Sequence, residues 1–162
     1  MNSITQASYI PIIFDSGASL IISTFKKDYI GECHAPENPL FLGGLANGMP
    51  IEGIGTVEWK FRTTKQNVDI KIKGYYVPAC KARLISPQRL FNNNQGVIGK
   101  FTCLEEHAYL QFNNLPKIII GYDTNSRLPL SSARNETTAI NPQINLCFTD
   151  EKYQNLSPTQ KN

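Results

Sequence analysis

Two long stretches of the chain alternate apolar with polar residues at nearly every second position. The first, Thr56 to Thr63, contains the run VEWKF, and the second, Val68 to Val77, contains the run VDIKIK. Successive side chains of a β-strand point to opposite faces of a sheet, so this period predicts two strands with one buried face each. The polar residues Thr64, Lys65 and Gln66 between them predict the turn of a hairpin. The chain is therefore expected to fold around β-sheet.

Shorter apolar runs predict further strands on both sides of this hairpin. The run Tyr9 to Phe14 breaks at the residues DSGAS and resumes at Leu20 to Ile22, which predicts strand, tight turn and strand. The Asn-Gly dipeptide at positions 47–48 lies between the apolar runs LFL and MPI. It predicts a second hairpin because both residue types tolerate positive φ. Gly96 to Cys103 and Ala108 to Phe112 predict a third.

One short helix and a polar tail complete the expected organisation. Ser86 before Pro87 suits the cap and first position of a helix. After a last apolar strand, Leu115 to Tyr122, residues 123–162 are dominated by Asn, Ser, Thr and Pro. With 162 residues, 41% of them hydrophobic, the chain has the size and composition of one globular domain. We predict a domain over residues 1–122 and a polar linker over residues 123–162.

The turn between the first two strands carries an Asp-Ser-Gly tripeptide, Asp15 to Gly17. A turn between buried strands presents its carboxylate in a fixed place, and Gly17 lets the turn tighten without a Cβ clash. The hydroxyl of Ser16 is suited to hydrogen-bond backbone across a symmetry axis. As an isolated tripeptide the motif also occurs in ordinary surface turns, so its chemistry depends on the rest of the chain.

Three separated motifs give residues 14–91 a resemblance to the protease of copia-type LTR retrotransposons, one of the retropepsin-like aspartic proteases. The run FDSGAS at 14–19 is similar to the catalytic turn of that family. The runs LANG at 45–48 and IEGIGTV at 51–57 resemble its flap hairpin and the strand that leaves it. The runs YVP at 76–78 and RLISPQRL at 83–90 resemble its second-half signature. The run NLSPTQK at 155–161 is similar to the sequence that precedes the gag-pre-integrase region of such polyproteins.

Two positions depart from the pattern of this family. Leu20 stands where copia-type sequences often carry a polar residue or His. Ser86 stands where retroviral proteases carry Gly, a departure that is itself common among copia-type sequences.

The resemblance implies an all-β, retropepsin-like acid protease barrel with one short helix, closed in the manner of a barrel. It also implies a homodimer, because the chain has a single Asp-Ser-Gly and each subunit would donate one Asp15. The implied catalytic residues are Asp15, Ser16 and Gly17. The implied activity is water-mediated cleavage of a retroelement polyprotein, with no metal and no organic cofactor.

The same resemblance implies a flap that closes over a polypeptide substrate. The implied substrate-binding residues are Ala18, Leu45, Ala46, Asn47, Gly48 and Met49. The flap tip is placed at Ala46 to Met49, although Gly53 to Gly55 also resembles the flap glycines of retroviral proteases.

Charge and cysteine content limit the other partners. The net charge is +3, and the nearest approach to a basic patch is interpreted as a solvated face, so nucleic acid is not expected. Its members are Lys71, Lys73, Lys81, Arg83 and Arg89. No apolar stretch reaches the ~20 residues of a membrane span. Cys33, Cys80, Cys103 and Cys147 are too scattered for a zinc site or a disulfide framework, which favours reduced thiols in the cytoplasm. The resemblance to a retrotransposon protease implies virus-like particles as a further setting.

Two alternatives to an enzyme stay open at this point. One is a non-catalytic β module that serves interaction or assembly within a retroelement polyprotein. The other is a nucleic-acid-binding β domain, for which the aromatic residues of the alternating strands would form a stacking platform. Such residues are more often core and cross-strand pairs, as expected for Trp59, Phe61, Tyr75 and Tyr76.

Overall fold

In a computed structural model of the chain, the described residues are 11–43, 48–63, 65–92, 98–113, 115–131 and 143–148. They form mostly β-sheet with one short α-helix, which confirms the predicted all-β class. The strands are β1 Ile12–Phe14, β2 Ile22–Ser23, β3 Tyr29–His34, β4 Leu40–Phe41, β5 Pro50–Ile51, β6 Gly53–Arg62, β7 Asn67–Tyr76, β8 Arg83–Ile85, β9 Gly99–Cys103, β10 His107–Phe112, β11 Ile118–Tyr122, β12 Pro129–Ser131 and β13 Gln143–Phe148. The helices are α1, Pro87–Asn92, and a 3-10 turn, Lys26–Asp28.

The main sheet is open and has two ends. Its order is β3-β6-β7-β2-β8-β1-β12-β11-β10-β9, and β13 joins β7 beside β2, which makes 11 strands. The described strands therefore do not close into a barrel, and the expectation of a closed barrel is corrected. Closure would require β3 and β9 to share hydrogen bonds, and they are not paired with each other.

The predicted long hairpin is the centre of the sheet. β6 and β7 pair in antiparallel register over ten residue pairs, from Gly53 with Tyr76 to Arg62 with Asn67. The apolar members of their alternation are buried, and Trp59, Ile70 and Ile72 are each 0% exposed. They belong to a first core that also holds Ile12, Phe14, Ile85, Leu90, Leu110 and Ile120. Burial of Trp59 and Phe61 agrees with their prediction as core residues.

Strand β8 lies between β1 and β2. It runs parallel to β1, with Ile13 opposite Leu84, and antiparallel to β2, with Ile22 opposite Leu84. The connection from β1 to β2 therefore passes over the end of β8, and this connection contains the Asp-Ser-Gly turn. β8 follows the turn by some seventy residues in sequence. It pairs with the strands on both sides of the turn and thus holds both ends of the turn in place.

Strands β4 and β5 form a separate two-stranded sheet, the predicted second hairpin. The apolar side chains of this hairpin pack in a second core that is distinct from the first. This second core contains Ile22, Leu42, Ile51, Tyr75 and Val77, with Leu20, Leu40, Met49, Ile54, Cys80 and Leu84 packed against it. The hairpin is thereby fixed over the face of the sheet on which Leu84 lies.

The sheet continues past residue 122, where the linker was predicted to begin. β12 pairs with both β1 and β11, and β13 pairs with β7 in parallel from Gln143 with Asn67 to Phe148 with Ile72. Strands of three and six residues within a polar segment give too short a periodic signal to be recognised from sequence. Strand β3 was missed for a related reason, since its burial does not alternate.

The interpretation of the basic residues as one solvated face is also corrected. Lys71 and Lys73 are partly exposed and Lys81 is exposed, whereas Arg83 and Arg89 are only 5% and 8% exposed. Arg83 lies in β8 and Arg89 in α1, and both side chains are buried.

Candidate functional site

The Asp15 turn is held by backbone hydrogen bonds at its start. The N–H of Asp15 donates to the carbonyl oxygen of Ile85 at 3.0 Å, which extends the β1–β8 ladder by one residue. The N–H of Ala18 donates to the carbonyl oxygen of Asp15 at 3.1 Å, closing the turn. Asp15 is partly exposed, and Ser16 and Gly17 are exposed. The carboxylate is therefore anchored through its backbone but open to solvent.

Gly17 makes direct contact with the carboxylate of Asp15. Its N–H donates to Oδ1 of Asp15 at 2.8 Å. A Cβ at Gly17 would lie 3.2 Å from the same oxygen, closer than most side chains tolerate. Glycine at this position thus lets a backbone donor reach the carboxylate.

Side-chain alternation places Asp15 on the face of the sheet that carries the second core. Ile12 and Phe14 of β1 enter the first core, so Ile13 and, one residue beyond the strand, Asp15 lie on the opposite face. Leu84 is opposite Ile13 in β8 and packs against the second core. The carboxylate and an apolar wall therefore share one face.

The β4–β5 hairpin lies over this wall. Its turn is closed by two bonds, from the N–H of Leu42 to the carbonyl of Met49 at 2.8 Å and from the N–H of Gly48 to the carbonyl of Leu42 at 3.0 Å. Gly48 has φ 86°, which glycine adopts without strain. Met49 packs against the second core. Three other predicted substrate-binding residues, Leu45, Ala46 and Asn47, lie outside the described residues.

The alternative flap position, Gly53 to Gly55, lies inside β6. Gly53 is opposite Tyr76 and Gly55 is opposite Gly74 in the long hairpin. A Cβ at Gly55 would meet backbone atoms of β3 at 3.1 and 3.3 Å. These glycines therefore allow two strands to approach closely, and they do not form a hairpin tip.

A buried polar group at the other end of β8 was not anticipated from sequence. Asp28 is 1% exposed and its carboxylate lies 3.3 Å from Nη1 of Arg83. The hydroxyl of Ser23 donates to the same carboxylate. These contacts join the end of β2 to β8, the two strands that follow and support the Asp15 turn. The run KKD at 26–28 looks like a solvated charged segment, and only its contact with β8 shows that Asp28 is buried.

Ser86 caps α1, and Pro87 is its first residue, as predicted. Its hydroxyl accepts a hydrogen bond from the N–H of Arg89 at 3.3 Å, and its carbonyl accepts one from the N–H of Leu90 at 3.2 Å. The helix therefore starts two residues after Ile85, whose carbonyl anchors Asp15. Its cap is buried, so α1 is fixed relative to the turn.

The described residues offer limited chemistry outside Asp15. Within the described ranges, no three His, Cys, Asp or Glu side chains come close enough to hold a metal ion. Cys33, Cys80 and Cys103 form no disulfide, and burial raises the pKa of the Cys33 thiol. None of the helices in these ranges has the length and apolar character of a membrane span.

Comparison of the chain with protein-family models, with curated proteins and with solved structures found no match.

Proposed function

We propose that the chain is an aspartic endopeptidase that is active as a homodimer and cleaves a retrotransposon polyprotein in the cytoplasm. The observation that carries this proposal is the contact between two of the motifs behind the resemblance. The turn DSG and the segment RLIS are far apart in sequence, yet the N–H of Asp15 donates to the carbonyl of Ile85 at 3.0 Å. An ordinary surface turn needs no such support from a central strand.

The finer fold in this proposal is retropepsin-like. The order β2-β8-β1 supports it, because β1 and β8 are neighbours in this order. The catalytic turn and the second-half signature therefore meet at the same end of these two strands. The turn then presents one carboxylate per subunit, and a second subunit would supply the other at a twofold axis.

The reaction follows from two carboxylates held within hydrogen-bonding reach. Two like charges at this distance do not both ionise readily, so the two Asp15 groups share one proton. The charged member takes a proton from a water molecule, which attacks the scissile carbonyl carbon. The protonated member donates to the carbonyl oxygen. The carboxyl that took the proton from water then donates it to the amide nitrogen, and the other carboxylate takes a proton back from the gem-diol. The C–N bond breaks, the amine leaves, and the pair again holds one proton.

The β4–β5 hairpin would act as the flap in this reaction. An extended polypeptide would lie between the hairpin and the face that carries Asp15 and Leu84, and would add backbone hydrogen bonds as a further strand. Gly48 and Met49 would be the described tip residues of this flap, with Leu45, Ala46 and Asn47 proposed beside them. Ala18 would contact substrate from the turn.

The test is cleavage of a peptide library by the wild type and by Asp15→Asn, with the oligomeric state of both measured by sedimentation. Asp15→Asn keeps the shape of the side chain but removes the shared proton, so cleavage should fall by at least about 10³-fold. Glu58→Gln, a carboxylate on the outer side of β6, is the matched control and should cleave normally. Equal activity of Asp15→Asn and wild type would end the proposal.

The pH dependence gives a second measurement. Because the shared proton belongs to the pair, cleavage should show a bell-shaped profile on the acidic to near-neutral side. A flat profile between about pH 4 and 8 would contradict the carboxylate pair. A dimer that never cleaves in either experiment would instead support a non-catalytic assembly module.

A further inference from the structure

The main sheet ends at β9, which pairs with β10 and with no other described strand. The two strands pair without a register shift, from Gly99 with Phe112 to Cys103 with Ala108. At the opposite end of the sheet, a register shift interrupts the pairing of β3 with β6. A regular end strand accepts a further strand more readily than an irregular one. β9 is therefore the end of the sheet that is better suited to strand addition.

The backbone groups of β9 that face the end of the sheet follow from its ladder with β10. The N–H of Leu104 donates to the carbonyl of His107 at 2.9 Å, and the N–H of Asn113 donates to the carbonyl of Ile98 at 2.6 Å. Even-numbered positions of β9 thus direct their backbone groups toward β10. Because these directions alternate in an antiparallel pair, positions 99, 101 and 103 direct their N–H and C=O groups away from β10.

Two lysines lie over a tyrosine on the outer face of β9, β10 and β11. Phe101 packs against the first core, so Lys100 and Thr102 lie on the opposite face. Tyr109 is opposite Thr102, and Nζ of Lys100 and Nζ of Lys117 lie 5.7 and 4.2 Å from the centroid of its ring. Tyr109 is only 8% exposed although it belongs to this outer face. The lysine side chains thus cover the ring, and these contacts hold both ammonium groups above the face.

The positive charge of this face is not balanced by carboxylates. Strands β9, β10 and β11 contain no Asp or Glu. Among the residues that the structure describes, neither Lys100 nor Lys117 forms a salt bridge. A hydrogen bond from Thr102 and the charges of the two lysines lower the pKa of Tyr109, as expected where the potential is positive. A partner with carboxylates would supply the missing negative charge.

We propose that an extended acidic segment of another polypeptide binds at this end of the sheet as an additional strand next to β9. Its backbone would pair with the outward N–H and C=O groups at positions 99, 101 and 103. Its side chains on the outer face would include Asp or Glu next to Lys100. Its side chains on the other face would be apolar, next to the half-buried Phe101. This inference does not depend on the proposed function.

The same surface is poorly suited to nucleic acid. Proteins that bind single strands stack bases on accessible aromatic rings, and the ring of Tyr109 is covered. Ile98 and Ile119, which are 78% and 58% exposed, flank the lysines and favour a partner with apolar side chains. A polypeptide also has the backbone N–H and C=O groups that β9 needs, and a phosphate backbone has not. Lys100 in turn disfavours a strand that brings no negative charge.

The first test measures charge recognition with a short synthetic peptide of alternating glutamate and valine, capped at both ends and fluorescently labelled. Fluorescence anisotropy compares it with the same peptide carrying lysine in place of glutamate, which should bind at least about tenfold more weakly. Lys100→Glu turns attraction into repulsion and should weaken binding of the glutamate peptide at least about fivefold. Lys81→Glu is the matched control, because Lys81 is exposed in the loop before β8 and the change in net charge is the same. It should bind as the wild type does.

The second test measures the use of the β9 backbone. Cys103→Pro removes one outward N–H at an exposed position and leaves the bonds to β10 in place, which an end strand tolerates. Loss of this donor should weaken binding of the glutamate peptide at least about threefold. Cys103→Ala keeps the N–H, and it should bind as the wild type does. Circular dichroism shows whether each variant is folded.

Weaker binding by Lys100→Glu and by Cys103→Pro, with both controls normal, would support the inference. Normal binding by either variant in its folded form would overturn it, as would equal affinity for the two peptides or no binding of the glutamate peptide by wild type. If Cys103→Pro does not fold, Lys100→Glu and its control decide the matter. Tighter binding of a single-stranded thymidine oligonucleotide than of the glutamate peptide would overturn the inference in favour of a nucleic-acid surface.

Discussion

Asp28 and Arg83 are charged side chains that the fold buries at the start of β8, at 1% and 5% exposure. Removing one member of a buried ion pair destabilises a protein by more than formation of the pair stabilises it, because the remaining charge stays out of water. Their contact also joins β8 to the 3-10 turn that follows β2, and the hydroxyl of Ser23 in β2 donates to the carboxylate of Asp28.

We expect Asp28→Ala to lower the free energy of unfolding by about 3–5 kcal/mol, since it takes the carboxylate away from the buried guanidinium. Urea unfolding followed by circular dichroism measures the change. Glu58→Gln is the control, because Glu58 lies 3.3 Å from Lys71 in a pair that is partly exposed on both sides, and its loss should cost less than ~1 kcal/mol. Equal effects of the two substitutions would mean that Asp28 is not buried as described.

At the scale of elements, the approach of β3 to β6 depends on a glycine. A Cβ at Gly55 would lie 3.0 Å from Cδ1 of Tyr29 and 3.1 Å from the carbonyl oxygen of Glu32. The pairing of these strands is irregular between Ile30 and His34, and Gly31 has φ 70° there. The pairing of the outer strand β3 with β6 therefore requires a residue without a Cβ at position 55.

Gly55→Ala should therefore destabilise the protein by about 1–3 kcal/mol, because β3 must move to make room for the methyl group. Gly121→Ala is the matched control in another strand, since a Cβ there meets nothing within 4 Å, and it should change stability by no more than ~0.5 kcal/mol. Thermal or urea unfolding of both variants decides the matter. A neutral Gly55→Ala would show that β3 is not held against β6 in this way.

The elements that were predicted from sequence are those with strong local signals. The long hairpin follows from strict alternation, α1 from Ser-Pro, and the β4–β5 hairpin from Asn-Gly between apolar runs. The catalytic role of Asp15 was predicted from its Asp-Ser-Gly turn together with the family resemblance, and it stays a prediction. What sequence did not reveal depends on contacts between distant segments. The burial of Arg83, the placement of β8 between β1 and β2, and the pairing of β12 with β1 are examples.

At the scale of the whole molecule, the sheet draws on segments from most of the chain. β13 covers the first part of one edge of β7, and β2 covers its last two residues, Tyr75 and Tyr76. Without β13, most of this edge of β7 would offer unpaired N–H and C=O groups. Such an edge favours pairing with other chains.

A chain that ends at Ser131 should therefore unfold at lower urea concentration than one that ends at Phe148, and should aggregate more readily. Urea unfolding and light scattering at equal protein concentration compare the two. Identical stability and solubility would show that β13 does not contribute to the folded sheet in solution.

The position of β8 in the sequence also means that the ribosome makes the Asp15 turn well before it makes the strand that supports this turn. The carbonyl that anchors Asp15 belongs to Ile85, which follows 70 positions later, and ribosomes add roughly 5–20 residues each second. For several seconds a growing polypeptide thus carries the DSG segment without its backbone support. In the proposed protease, hydrolysis would begin only after translation has passed β8, and the newborn polyprotein would be protected from premature cutting until then.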